Sequence, residues 1–451
     1  MTLPALTPRA AVLVALAAGT GCFGNAQQAL RPPTPVAAGI NPADLVDPTA
    51  EADARMLSNA VSLYQVAERI RADQKPAVLP PKKSVLALSG GGSYGAYSAG
   101  ILVGWSRTGT RPTFDTVTGI STGALIAPLA FLGPAYDEQL AELYTTVKQE
   151  DLYTIPKRIR TLLGESLADN TAFVRRLEDS TTPALLAAIA AEHHKGRRLY
   201  MGTTDLDGKR QVIWDMGAIA ARGTPADLAL FRSITLASAS IPGFFPPVRI
   251  PVAIDGKVYE ERHVDGGMTA SVFFQPPWVP PAQRSDATAN TLYNTDLYIV
   301  VAGKLYADPE PVRPRSLRIA AAGVSSLIYA ETRGDLFTLY TASVLTGMNY
   351  HVAAVPAAVP VPFASTDFDP VEMVKLYQVG LRQVADGTVW RRTPPGLEKG
   401  EGVSQRAGVN LTRVPGDNPP PLSGPRTDPA PLLQSITPGF ALPGGAPGFG
   451  K

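Results

Sequence analysis

Two glycine-rich turns, each set between a short apolar run and a helix-forming stretch, constrain this chain more than any other feature. The first run, Val85-Leu86-Ala87-Leu88, enters Ser89-Gly90-Gly91-Gly92-Ser93-Tyr94-Gly95, and Ala96 to Trp105 can continue as a helix. The second, Thr116 to Ile120, enters Gly119-Ile120-Ser121-Thr122-Gly123, followed by a helical stretch from Ala124 to Leu132. A strand that turns through glycine into a helix leaves several backbone N–H groups free at the helix N-terminus, where negative charge is stabilised. Gly90, Gly92 and Gly95 also satisfy G-x-G-x-x-G, a dinucleotide-binding pattern. Against that reading, Asp115 precedes a strand instead of ending one, and the lysine of a phosphate P-loop is missing. The second turn is G-x-S-x-G between strand and helix. There the glycines permit a sharp turn and keep neighbouring side chains away, so the Ser121 hydroxyl stands exposed as a nucleophile would.

Composition narrows the chemistry. The chain has 451 residues, 41 basic and 39 acidic, for a formal net charge of +2. That balance argues against nucleic acid as a partner, because neutralising phosphates needs a clustered basic surface. One cysteine and four histidines exclude a disulfide framework and leave little for a Cys/His zinc site. An activated serine needs a base. His193 and His194 end a charged helix and read as a solvated face. His351 follows a long helical stretch, and the order Ser121, Asp265, His351 is that of an α/β-hydrolase triad. The stronger candidate is Asp265 itself, in Asp265-Gly266-Gly267, where two glycines allow a tight turn that leaves the carboxylate unobstructed.

Taken together, the Gly90–Gly95 loop, the Gly119–Gly123 elbow and Asp265-Gly266-Gly267 resemble, in that order, the patatin-like phospholipase family. Gly202 to Asp207, read as a strand leaving toward a hairpin, and Ala237-Ser238-Ala239-Ser240-Ile241-Pro242 look similar to the family as well. The resemblance implies a three-layer α/β/α sandwich with a mainly parallel central sheet. It implies a Ser121–Asp265 dyad without histidine, Ser121 attacking and Asp265 taking its proton. Gly90, Gly91 and Gly92 are implied to form the oxyanion hole, and Gly95, Gly119, Gly123, Gly266 and Gly267 complete the motifs. The implied substrate is a lipid or phospholipid acyl ester at a membrane surface, with no cofactor or metal. Two positions depart from the family pattern: Tyr94 stands where Arg or Lys is usual, and Ser89 where Asp is common. The competing readings are an esterase with the Ser121–Asp265–His351 triad and a non-catalytic envelope lipoprotein that keeps the fold for binding.

The remaining sequence reads as appendages to one catalytic domain, residues 82–392. Arg9, the apolar run Ala10 to Ala18 and the small residues before Cys22 resemble the signal peptide and lipobox of bacterial lipoproteins. This predicts acylation of Cys22 and anchorage in the cell envelope, with a secreted or periplasmic form as the alternative. Residues 23–81 read as a Pro/Ala-rich tether plus one helix, from the spacing of Met56, Ala60, Leu63, Ala67 and Ile70. Residues 393–451, rich in Pro and Gly, read as a largely disordered tail. Phe244 and Phe245, among prolines, and the Leu152–Phe173 segment with Arg158 and Arg160 are candidate lips of a lipid groove.

Overall fold

Apolar residues on alternate faces of the central strands build one sheet with a core on each side. The computed structural model describes residues 55–57, 80–155, 166–275, 292–308 and 316–395. Its strands are β1 (Arg55–Leu57), β2 (Ser84–Leu88), β3 (Thr116–Ile120), β4 (Arg198–Asp205), β5 (Arg210–Asp215), β6 (Val248–Ile254), β7 (Lys257–Asp265), β8 (Asp296–Val300) and β9 (Asn349–Ala353). The order across the sheet is β1-β5-β4-β3-β2-β8-β9, with β7 pairing β4 and β6 pairing β7. The five strands from β4 to β9 are mutually parallel, whereas β1, β5, β6 and β7 pair antiparallel.

The helices are α1 (Gly95–Arg107), α2 (Thr122–Leu132), α3 (Asp137–Thr145), α4 (Thr171–Ser180), α5 (Pro183–His194), α6 (Met216–Arg222), α7 (Pro225–Ser238), α8 (Ser316–Thr346) and α9 (Pro370–Ala385). Leu86 and Leu88 of β2, Val117 of β3 and Met201 of β4 share one core with α1, α2 and α9. Val85 and Ala87 of β2 and Leu297 and Ile299 of β8 face the other way, against Leu336 and Leu339 of α8. Farther along that second face, Ile120, Tyr200 and Ile213 pack against Ala270 and Phe273. This is the three-layer α/β/α sandwich with a mainly parallel sheet. The expected hairpin after Gly202 is β4–β5.

The helices that follow β2 and β8 lie on opposite faces, so the connections diverge between these two neighbours. In open α/β sheets the crevice beyond the strand ends at such a divergence is where ligands bind. Its walls begin with the loop after β2, where the triple glycine lies, and the loop after β8, where Ala302 lies.

Within the stretch expected to be helical, Arg55–Leu57 is instead a strand paired with Val212–Trp214 of β5. Pairing with the open edge of β5 supplies ladder hydrogen bonds that outweigh a weak helical spacing. The rest of that stretch, the signal segment with Cys22, the tether, residues 156–165 with Arg158 and Arg160, and residues 396–451 of the Pro/Gly-rich tail lie outside the described residues.

The tightest helix contact is between α1 and α9. A Cβ on Gly100 would stand 2.1 Å from the Tyr377 carbonyl oxygen, and one on Gly380 would stand 2.6 Å from that of Tyr97. The helices therefore meet backbone to backbone at a pair of glycines. Gly100→Ala is expected to force them apart and destabilise the fold by about 1–3 kcal/mol, read as a lower urea midpoint.

Candidate active site

Ser121 follows β3 and caps α2. Its backbone is at φ 54°, ψ −123°, a region that costs a non-glycine residue on the order of 1–3 kcal/mol and persists only where surrounding contacts enforce it. Those contacts are specific. The Ser121 N–H donates to the Ser238 hydroxyl at 3.0 Å, and that hydroxyl donates to the Gly202 carbonyl at 2.7 Å. The Ser121 carbonyl accepts from Ala124 and Leu125 at 2.9 and 3.3 Å. The elbow glycines are required by proximity: a Cβ on Gly119 would lie 2.4 Å from the Gly123 carbonyl oxygen, and one on Gly123 would lie 2.4 Å from that of Leu88.

Asp265 ends β7 opposite Thr203 of β4, itself next to Gly202, whose neighbour across the ladder is Ile120. That register brings the acid beside the serine, close enough for the Ser121 hydroxyl to lower the pKa of the Asp265 carboxyl. The Asp265 N–H donates to the Ser240 carbonyl at 2.8 Å, and Oδ1 accepts the Gly267 N–H at 2.8 Å. Burial pushes the carboxyl up to about 6, partly opposed by the nearby Ser121 hydroxyl and the Gly267 N–H. A carboxylate near neutrality in this position can take a proton from the serine and return it.

The glycine loop lies directly beside the elbow: a Cβ on Gly90 would sit 3.1 Å from that of Ser121. Its three glycines have different tasks. The Gly90 N–H is committed to the Ser271 carbonyl at 3.1 Å. Those of Gly91 and Gly92 have no acceptor among the described residues. Ser271 is held in turn by Asp335 of α8, which accepts the N–H groups of Ser271 and Val272 at 2.6 and 3.2 Å. Burial pushes the Asp335 carboxyl up to about 7.

The segment around Ser365 crosses over this loop. Its carbonyl accepts the Ser93 N–H at 2.8 Å and lies so close to Gly92 that a Cβ there would stand 2.0 Å away. Tyr94 secures the same segment, its hydroxyl donating to the Phe363 carbonyl at 2.5 Å and its ring meeting Phe363 edge-on at 5.4 Å. Where a basic residue was expected from the resemblance, an aromatic ring anchors a wall of the site.

Ser121 and Gly92 open onto a cavity of about 650 Å³. Leu125, Leu129, Leu143, Phe173, Leu185 and Phe231 make much of its wall apolar, while Gln139, Glu142, Arg176 and Asp179 add polar groups. Phe244 and Phe245 line it too, stacked edge-on at 5.0 Å and both meeting the Tyr153 ring.

Residues 86–278 match the family model described as patatin-like phospholipase. The chain carries a patatin-like phospholipase domain. Among solved structures, VipD from Legionella pneumophila is similar at 12% identity over 68% of this chain and 67% of that one, with a TM-score of 0.32. A chain in the complex of SpcU with ExoU, from the type III secretion system of Pseudomonas aeruginosa, matches at 14% identity over 69% of this chain and 53% of that one, with a TM-score of 0.20. No curated protein sequence matches.

Other candidates fall away from the centre of the patatin-like domain. His351 is level with Tyr298, Leu86 and Val117 across the ladder. That leaves it three strands, roughly 14 Å, from β3 and four residues short of Ser121. Its Nε2 lies 2.9 Å from Arg392, and burial and that arginine push the imidazole down to about 4. The triad reading fails on this separation. His263 is fully buried between Thr203 and Glu261, at 3.0 and 3.2 Å, and packs against Trp214. His193, read as solvated, is half-buried near Asp215 instead. Asp115 accepts the Ser84 N–H at the opposite end of the sheet from the glycine loop, which removes it from the dinucleotide role. Among the described residues, no group of three or more His, Cys, Asp or Glu could hold a metal ion.

Ser238 carries no motif of its own in the sequence; the only signal pointing to it is its place in the Ala237–Pro242 stretch. Ser238→Ala removes the acceptor for the Ser121 N–H and is expected to cost about 1–2 kcal/mol of stability, with kcat reduced more than KM is raised.

Asp265 gives a signed pH prediction. Its folded pKa of about 6 lies above the ordinary carboxylate value of 3.8. The folded state thus favours the proton, and stability is lost as pH rises from near 4 to near 6. Asp265→Asn is expected to stabilise the fold at pH 7 by up to about 3 kcal/mol, read as a higher thermal midpoint, while abolishing activity. In the unmodified chain, kcat/KM should fall about tenfold per pH unit below about pH 6 as the base is protonated.

Proposed function

We propose that this chain is a serine acyl hydrolase of lipid esters, of phospholipase A or lysophospholipase type. The observation that carries the reading is Ser121, on its strained elbow beside the buried Asp265, lining a largely apolar cavity within a patatin-like domain. Asp265 takes the hydroxyl proton as Ser121 Oγ attacks the ester carbonyl. The N–H groups of Gly91 and Gly92 receive the oxyanion of the tetrahedral intermediate, with the close approach of Gly90 setting the loop against the elbow. Asp265 then returns the proton to the leaving alcohol, giving an acyl-Ser121 intermediate. A water deprotonated by Asp265 attacks this acyl group, and Asp265 passes that proton to the departing Ser121 Oγ as the fatty acid is released.

Preorganised donors of this kind typically contribute about 3 kcal/mol each to the transition state. The apolar wall suits an acyl chain, since such sites combine hydrophobic lining with a few placed polar groups. Acylation of Cys22 belongs to the same reading and would hold the enzyme at the cell envelope, beside its substrate.

Incubation with a fluorophosphonate probe is expected to label the chain covalently, with Ser121→Ala abolishing the label and Asp265→Ala reducing it at least a hundredfold. His351→Ala is expected to retain most labelling and most hydrolysis of diacyl and lysophospholipids. Absence of Ser121-dependent label would favour the binding-scaffold alternative.

A further inference from the structure

The long helix α8 passes the level of the active site and continues beyond it. Asp335 marks the crossing, because the Ser271 N–H it accepts belongs to the residue whose carbonyl holds Gly90. C-terminal to Asp335 the helix covers the sheet, burying Leu336, Leu339 and Ala342 on its way to β9. In the other direction it leaves the sheet, with Arg333 reaching the Leu305 carbonyl past the end of β8 at 3.2 Å. At 1.5 Å per residue, the helical residues from 316 to 334 extend roughly 28 Å farther.

That extension is apolar and bare. Ile319 is 58% exposed, Val324 53%, Leu327 70% and Ile328 50%. No charged residue stands between Arg318 and Glu331. A helix facing water normally carries charge on its outer side, and a bare apolar row marks an interaction surface. Two further apolar side chains are exposed on the same edge of the sheet, Met268 beside Gly267 and Tyr306 beyond β8. No helix among the described residues is long and apolar enough to cross a membrane, so this one suits partial burial in an interface. Residues 310–331 contain three arginines against two glutamates, Glu310 and Glu331 at the two ends, a net positive balance that suits anionic headgroups.

We infer that the face of α8 bearing Val324, Leu327 and Ile328 inserts into an anionic lipid surface and sets the catalytic edge of the sheet against it. The inference rests on the lipid-ester reading of the site, and it commits to a bilayer as the occupant, not a second copy of the chain.

The test uses the full chain carrying Cys22→Ser, so that no acyl anchor can form, and Ser121→Ala, so that the vesicles stay intact. Co-sedimentation with phosphatidylcholine–phosphatidylglycerol vesicles is compared with and without Leu327→Asp/Ile328→Asp, and Val324→Asp repeats the comparison on the same face. Each set of substitutions is expected to lower partitioning at least tenfold without moving the thermal midpoint. In the chain with Ser121 intact, hydrolysis of a soluble short-chain ester is expected to stay within twofold. Unchanged partitioning overturns the inference. So does a dimer in sedimentation equilibrium that the aspartates dissolve, since a second copy then covers the face. If the chain hydrolyses no ester yet its partitioning depends on these residues, the catalytic reading fails and the lipid-contact surface stands.

Discussion

Everything at the candidate site depends on backbone approaching backbone at the ends of two neighbouring strands. Parallel pairing sets Leu88 of β2 beside Gly119 of β3, so the two chains turn into their helices side by side. There is room for this only because Gly90, Gly119 and Gly123 carry no side chain. The turn forces Ser121 into a strained conformation, and the strain is borne by neighbours: the Ser238 hydroxyl beneath its N–H and the first turn of α2 at its carbonyl. The segment that supplies Ser238 also supplies the Ser240 carbonyl to Asp265. One short stretch at the end of α7 thus fixes the backbone of both halves of the dyad, so their spacing is set by backbone contacts.

A second consequence concerns the carboxylate. Asp265 is buried with few partners, and desolvation outweighs the pull of the Ser121 hydroxyl and the Gly267 N–H. An arginine neighbour would hold the group ionised more cheaply but would also weaken it as a base. The environment here trades stability of the charged form for basicity near neutral pH.

Much of this was legible in the sequence because glycine and local spacing report backbone constraints directly. β2, β3, α1 and α2 lie within a few residues of where the two turns predict them, and Asp265 reaches the serine. What was not legible depends on contacts distant in sequence. Nothing in the glycine run says that the Gly90 N–H is taken by Ser271, or that Ser365 crosses the loop from 272 residues away. The work of Tyr94 is invisible without Phe363. The edge pairing of Arg55–Leu57 with β5 overrides a helical spacing that was only locally plausible, and His351 shares chain order with a triad but not its place.

The sheet order carries a consequence for how the chain assembles. β2, the strand that feeds the glycine loop, has β3 on one side almost at once, but its other partner is β8, whose residues 296–300 come far later. Until they arrive, β2 presents an unpaired apolar edge, the kind of surface on which chains aggregate. Long-range parallel pairing is also slow to form. The segment matching the family model ends at residue 278, before β8 and β9, so a fragment cut there would keep the serine and the aspartate while leaving the central strand exposed on one side. The functional unit of this protein is set by the closure of its sheet, and that closure comes late in synthesis.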